Sequence, residues 1–160
     1  MAFGVLLVDQ VSKVLATRLL APGEVVPLLG DVITLRLVYN AGAAFSFASG
    51  LTWVFTVIAV VVVVVVVRIS RTIASGWWAV LLGLLLGGAA GNLMDRLFRE
   101  PAFGRGHVVD FISYGDLFIG NLADIAIVGA AVGIAVLALL GIETDGTRSG
   151  GRQPAHTDDE

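Results

Sequence analysis

Four aspartates, one lysine and one arginine stand within or beside the apolar runs of this chain: Asp9, Asp95, Asp110, Asp124, Lys13 and Arg96. Charges in such surroundings are costly and mark pathways or catalytic centres. Asp9 and Lys13 stand four apart on one helical face, acid before base, the favourable order for an ion pair. The plainer reading of that pair is mutual neutralisation that makes insertion tolerable. Asn92 and Arg96 share a face, with Asp95 beside them, and could equally be an interface anchor. Asp110 lies in GHVVDFI, before a helix, and Asp124 lies in NLADIAI, about one turn into that helix, with Asn121 on its face. Two carboxylates brought close cannot both ionise, so one pKa rises and the other falls. Such a pair shares one proton and titrates as a unit. Its ionised member can take a proton from water while its protonated member polarises an amide carbonyl. Taken singly, Asp124 could complement a helix dipole and Asp110 could be a solvated loop residue. Asp116, in the turn SYGD, is read as solvated.

Other chemistries lack their residues. Cysteine is absent and only His107 and His156 are present, which excludes thiolate chemistry and leaves a zinc site without ligands. Neither H-E-x-x-H nor G-x-S-x-G occurs. Lys13 is the only lysine, and its neighbour Ser12 points elsewhere on the helix. The Gly-rich GLLLGGAAGN has no phosphate-loop lysine and sits within an apolar span. No metal and no cofactor is expected.

The elements that must position these residues are membrane helices. Of the 160 residues 57% are hydrophobic and 14% charged, with a mean hydropathy of +0.92, against about 45–50% apolar and 25% charged in soluble domains. A soluble enzyme, a disordered chain or a nucleic-acid binder is therefore excluded, the last also by a net charge of −3 without a basic stripe. Crossing a bilayer takes about 20 helical residues. Four stretches reach that length, at about 1–20, 51–67, 77–97 and 121–140. The first lacks the basic start of a secretory signal and is read as a retained helix. The valine run of the second forms helix because lipid leaves the backbone no other hydrogen-bond partners. Residues 22–50 contain DVITLRLVYN, whose alternation predicts a strand, part of a small sheet at the membrane surface. Residues 98–120 read as a connection, and the polar stretch 142–160 as a disordered tail after a domain at 1–141. Gly83, Gly87 and Gly91 recur every four residues, a device for close helix approach. Trp77 and Trp78 read as an interface belt. The fold class expected is all-α: four transmembrane helices with a small extracytoplasmic β element.

Arg36, Arg96, Arg99 and Arg105 on one side balance Arg68, Arg71, Arg148 and Arg152 on the other, so only the short loop with Arg68 and Arg71 and no acid points to the cytoplasm. Both termini then lie inside, and connections 22–50 and 98–120 lie outside.

The ordered set DQVSK (9–13), NAGAAFSF (40–47), GGAAGNLMDR (87–96), GHVVDF (106–111) and GNLAD (120–124) resembles the bacterial lipoprotein signal peptidases, signal peptidase II, over residues 1–141. The resemblance implies an intramembrane aspartic peptidase of the bacterial cytoplasmic (inner) membrane, its active site toward the outer face. Such an enzyme removes the signal peptide from a prolipoprotein by cutting just before a diacylglyceryl-modified cysteine. It implies Asp110 and Asp124 as the dyad. Asp9, Lys13, Asn40, Gly91, Asn92, Asp95, Arg96, Asn121 and Ala123 match family positions that support the site or contact substrate. It further implies lipid-modified precursors, membrane lipids and globomycin-type cyclic peptides as partners. Two departures accompany it. Gly120 stands where the family commonly has phenylalanine. Only eight residues precede Asp9, about 12 Å of helix, which suggests that the natural start lies further upstream. Two alternatives come from other classes: a small transporter or channel subunit with a charge relay through Asp9, Lys13, Asp95 and Arg96, and a structural assembly protein built on the glycine stripe.

Overall fold

The computed structural model describes residues 1–42, 52–115 and 117–148. Its elements run α1 (Ala2–Leu19), β1 (Val26–Leu29), β2 (Ile33–Asn40), α2 (Thr52–Ser70), α3 (Gly76–Phe98), β3 (Val108–Tyr114), β4 (Phe118–Gly120) and α4 (Leu122–Leu139). Much of NAGAAFSF, together with Asp116 and His156, lies outside the described residues.

Among the described residues, three helices are long and apolar enough to cross a membrane: α2, α3 and α4, with mean hydropathies of 2.7, 1.5 and 2.4. The fourth expected span, α1, is a helix of 18 residues that falls outside those limits. α1 carries Asp9, Lys13 and Arg18, and its buried residues are Asp9, Lys13 and Ala16, so its inward face is more polar than that of a simple lipid span. The glycine stripe explains how α1 docks. A Cβ on Gly83 would meet the Met1 side chain, one on Gly87 the Ala2 carbonyl and Val5, and one on Gly91 the Asp9 carboxylate. On the next face of α3, a Cβ on Gly88 would lie 2.6 Å from the Ala123 carbonyl oxygen. Small residues thus bring both α1 and the first turn of α4 against α3.

The small β element expected beside the helices is a four-stranded antiparallel sheet in the order β1-β2-β3-β4, so the chain is helical with a sheet rather than all-α. The alternating stretch predicted as a strand is β2. Its alternation is broken by an irregularity between Leu35 and Val38, where a bulge re-aims the side chains. β1 contains Pro27, which an edge strand tolerates because no ladder donor is needed on its free side. β3 corrects the expected connection at 98–120. VVDFIS is buried along its whole length, since it lies between β2 and β4 and over the helices. Ala16 and Leu20 at the end of α1 form a core with Val109, Phe111 and Ile112, which fastens the sheet across the helix ends.

Residues 143–148, read from sequence as the start of a disordered tail, fold back as a turn. The Thr144 carbonyl accepts from the backbone N–H groups of Ala74 and Ser75 at 3.2 and 3.0 Å. Trp78 Nε1 donates to the Ile142 carbonyl at 3.0 Å, so this tryptophan also ties the end of α4 to the start of α3. Residues 149–160 lie outside the described residues.

Candidate active site

Lys13 is 0% exposed and its ammonium has three acceptors for three protons. These are Asp9 Oδ2, Asp95 Oδ2 and Asn92 Oδ1, each at 2.9 Å. The expected i,i+4 pair on α1 is present, and α3 completes it. The remaining carboxylate oxygens are held as well. Asp9 Oδ1 accepts from the Ala123 backbone N–H at 3.1 Å. Asp95 Oδ2 accepts from the Val109 N–H at 3.2 Å, and Asp95 Oδ1 accepts from Arg99 Nε at 2.6 Å. One buried ion cluster therefore joins α1, α3, the start of β3 and the first turn of α4. Charges buried this completely persist only when paired and hydrogen-bonded.

Asn92 carries that cluster into the site. Because Lys13 occupies its oxygen, its Nδ2 faces Asp124 and donates to Asp124 Oδ1 at 2.8 Å. Asp124 is fixed a second time by α4 itself. Asn121 is the N-cap: its side-chain oxygen accepts from the Asp124 N–H at 3.1 Å, and its own N–H donates to Asp124 Oδ2 at 3.0 Å. This reciprocal arrangement satisfies two donors at the helix start. The Asn121 side-chain amide then donates to Asp110 Oδ1 at 2.6 Å and to Asn92 Oδ1 at 3.2 Å. Asn40, at the end of β2, donates to Asp110 Oδ2 at 2.8 Å. Asn121 thus touches both carboxylates, and Asp110 and Asp124 lie within electrostatic reach of each other.

The two acids differ in setting. Asp110 is 2% exposed, and its pKa is raised to about 6, chiefly by burial, with the Asp124 charge adding and the Asn40 and Asn121 donors opposing. Asp124 is half-buried and lines a pocket of about 370 Å³ with Tyr114, Phe118, Asn121, Ile125, Val128 and Gly129. The Arg96 charge acts on Asp110, Asp124 and Asp95, and its buried Nε has no hydrogen-bond partner among the described residues. Four acids (Asp9, Asp95, Asp110, Asp124) thus share the site with three cations (Lys13, Arg96, Arg99).

All eleven residues singled out from sequence meet here. Gly91 belongs because its missing Cβ makes room for Asp9, and Ala123 because its N–H holds Asp9. Asp110 sits on a strand rather than in the loop expected. Gly120 leaves space beside the site, since a Cβ there would stand 2.9 Å from Asp124 Oδ2. Two contributors escaped the sequence reading. Gln10 Nε2 donates to Asp9, to the Gly91 carbonyl and to Asp95 at 3.1, 3.1 and 3.3 Å, and Arg99 binds Asp95. Arg99 was legible as the i+4 partner of Asp95; Gln10 gave no signal beyond lying next to Asp9. Ser12 donates its hydroxyl to the Asp9 carbonyl at 2.7 Å, which together with the occupied Lys13 leaves no serine–lysine pair among the described residues.

The chain matches the family described as Signal peptidase (SPase) II over residues 1–140. It is 55% identical over 146 residues to the lipoprotein signal peptidase of Rhodococcus jostii, covering 91% of this chain and 74% of that protein. It is 52% identical over 141 residues to that of Mycobacterium avium, covering 88% and 78% respectively. Among solved structures, a bacterial membrane enzyme determined by the in meso method at 1.9 Å resolution superposes with a TM-score of 0.76 at 27% identity. The match covers 86% of this chain and 89% of that one.

Proposed function

We propose, from the premise that this chain belongs to the signal peptidase II family, that Asp110 and Asp124 form the aspartic dyad with which it removes signal peptides from prolipoproteins. The observation that carries the assignment is Asn121, which hydrogen-bonds both carboxylates at once. Asp124, open to the pocket, takes the proton of the attacking water. Asp110, buried and bearing the shared proton, polarises the scissile carbonyl. As the tetrahedral centre collapses, the proton gained by the dyad passes to the leaving amine. Asn92 and Asn121 position Asp124, Asn40 positions Asp110, and Arg96 holds a substrate carbonyl beside them. Asp9, Lys13, Asp95, Gly91 and Ala123 support the frame.

The apolar walls of the pocket beside Asp124 suit a substrate whose lipid stays in the bilayer while its peptide bond reaches the acids. In this reading α1 completes the membrane bundle, the sheet and dyad lie toward the outer face of the cytoplasmic membrane, and cleavage falls just before the lipidated cysteine. Globomycin-type peptides occupy the same pocket. The test is one precursor offered with and without its diacylglyceryl group: the modified form is cleaved and the unmodified form is left intact. Equal cleavage of both would remove the lipid from the recognition step.

A pH prediction follows from the buried acid. Protonated Asp110 is depleted as pH rises through about 6, so kcat/KM of the free enzyme declines there, well above the ordinary carboxyl range near 4. Asn40 opposes the upward shift by donating to Asp110, so Asn40→Ala moves that limb to higher pH while lowering the maximal rate. The check is a pair of pH profiles; an unmoved limb counts against Asp110 as the acid.

A further inference from the structure

The β1–β2 and β3–β4 connections meet at one end of the sheet. Residues 30–32 join β1 to β2, Gly115 follows β3, Leu117 precedes β4, and the Gly115 N–H donates to the Val32 carbonyl at 2.8 Å. Beside Asp31, several apolar side chains at this end are uncovered: Val32 is 67% and Leu117 86% exposed, and Leu28, Leu29 and Phe118 are exposed as well. Large apolar side chains left uncovered together at one end of a sheet mark an interaction site.

The geometry of α4 says what covers it. Tyr114 and Phe118, stacked with ring centroids 4.6 Å apart, share a pocket with Ile125, Val128 and Gly129. Gly129 lies eight residues past the N-cap Asn121, about 12 Å further along the helix axis. α4 is long and apolar enough to cross the membrane, and its Ile125 and Val128 side chains are exposed. Tyr114 and Phe118, which flank the β3–β4 connection, therefore lie alongside the apolar section of α4 that carries Ile125, Val128 and Gly129. Asp31, exposed in the first turn, limits the depth to the boundary between headgroups and acyl chains, where apolar side chains anchor peripheral elements.

We propose that Leu28, Leu29, Val32, Leu117 and Phe118 form a membrane-dipping edge seated in the leaflet nearest the site, with lipid as its partner. The proposal rests on the membrane reading of α4 and not on the chemistry of the dyad. The chain has no cysteine, so Val32→Cys and Leu117→Cys in the full chain each give a single site for a nitroxide. In phospholipid bilayers both labels are accessible to oxygen and lose accessibility to a water-soluble nickel chelate, as a label at Val128→Cys does. A label at Glu24→Cys, in the exposed segment before β1, stays open to nickel. Nickel accessibility at 32 and 117 equal to that at 24 overturns the proposal. So does dipolar broadening between labels on separate molecules, which assigns the surface to a second copy of the chain. Cleavage activity measured on the same samples reports on the dyad separately.

Discussion

Asp124→Asn lowers cleavage of a diacylglyceryl-modified precursor by about 10³-fold, the scale at which a positioned acid or base contributes, and Asp110→Asn does the same. The substitutions retain shape. In Asp124→Asn the new amide oxygen can still accept the Asn121 N–H that now reaches Asp124 Oδ2, so the start of α4 keeps its cap. What disappears is the ability to hold and pass a proton. The double variant is no slower than either single one, because groups acting as a unit are strongly non-additive. Single-turnover cleavage, with thermal unfolding to show that each variant is folded, provides the check. Near-normal cleavage by either variant would end the assignment of the dyad. Multiplying losses in the double variant would mean that the two acids work independently.

Helix positions were legible in the sequence because lipid imposes a length on any crossing segment. The pairing of Asp9 with Lys13 was legible because both lie on one helix. The third dimension was not. Nothing in the periodicity of α1 shows that Lys13 also reaches Asp95 and Asn92 on α3. β3 escaped for a different reason: a strand covered on both faces loses the period of two, so VVDFIS reads as an apolar patch in a connection. β4, only three residues long, offers no pattern at all. That gap matters for function, because a strand holds Asp110 in a fixed register opposite Val38, where a loop would leave it free. The charge-relay alternative also meets a physical difficulty. The Lys13 ammonium is saturated by three fixed acceptors, which suits an anchor rather than a carrier of mobile charge.

Lys13→Met is expected to destabilise the folded protein by about 3–5 kcal/mol, the cost of leaving a buried charge without its partner. The methionine fills similar space, so the loss is electrostatic more than steric. Asp95 keeps Arg99, but Asp9 is left with only the Gln10 amide and the Ala123 N–H. Removing that stranded charge with Asp9→Asn in the same chain recovers part of the loss, a coupling that a double-mutant cycle reads directly. Activity falls further than stability alone requires, because the ammonium is what turns the Asn92 amide so that its Nδ2 meets Asp124. The stabilised double variant therefore unfolds later than Lys13→Met yet remains slow in cleavage. Denaturant unfolding in detergent alongside single-turnover rates separates the two effects. Wild-type stability for Lys13→Met would mean that the cluster does not hold the bundle. Wild-type rates for the double variant would mean that Asn92 keeps its orientation without the lysine.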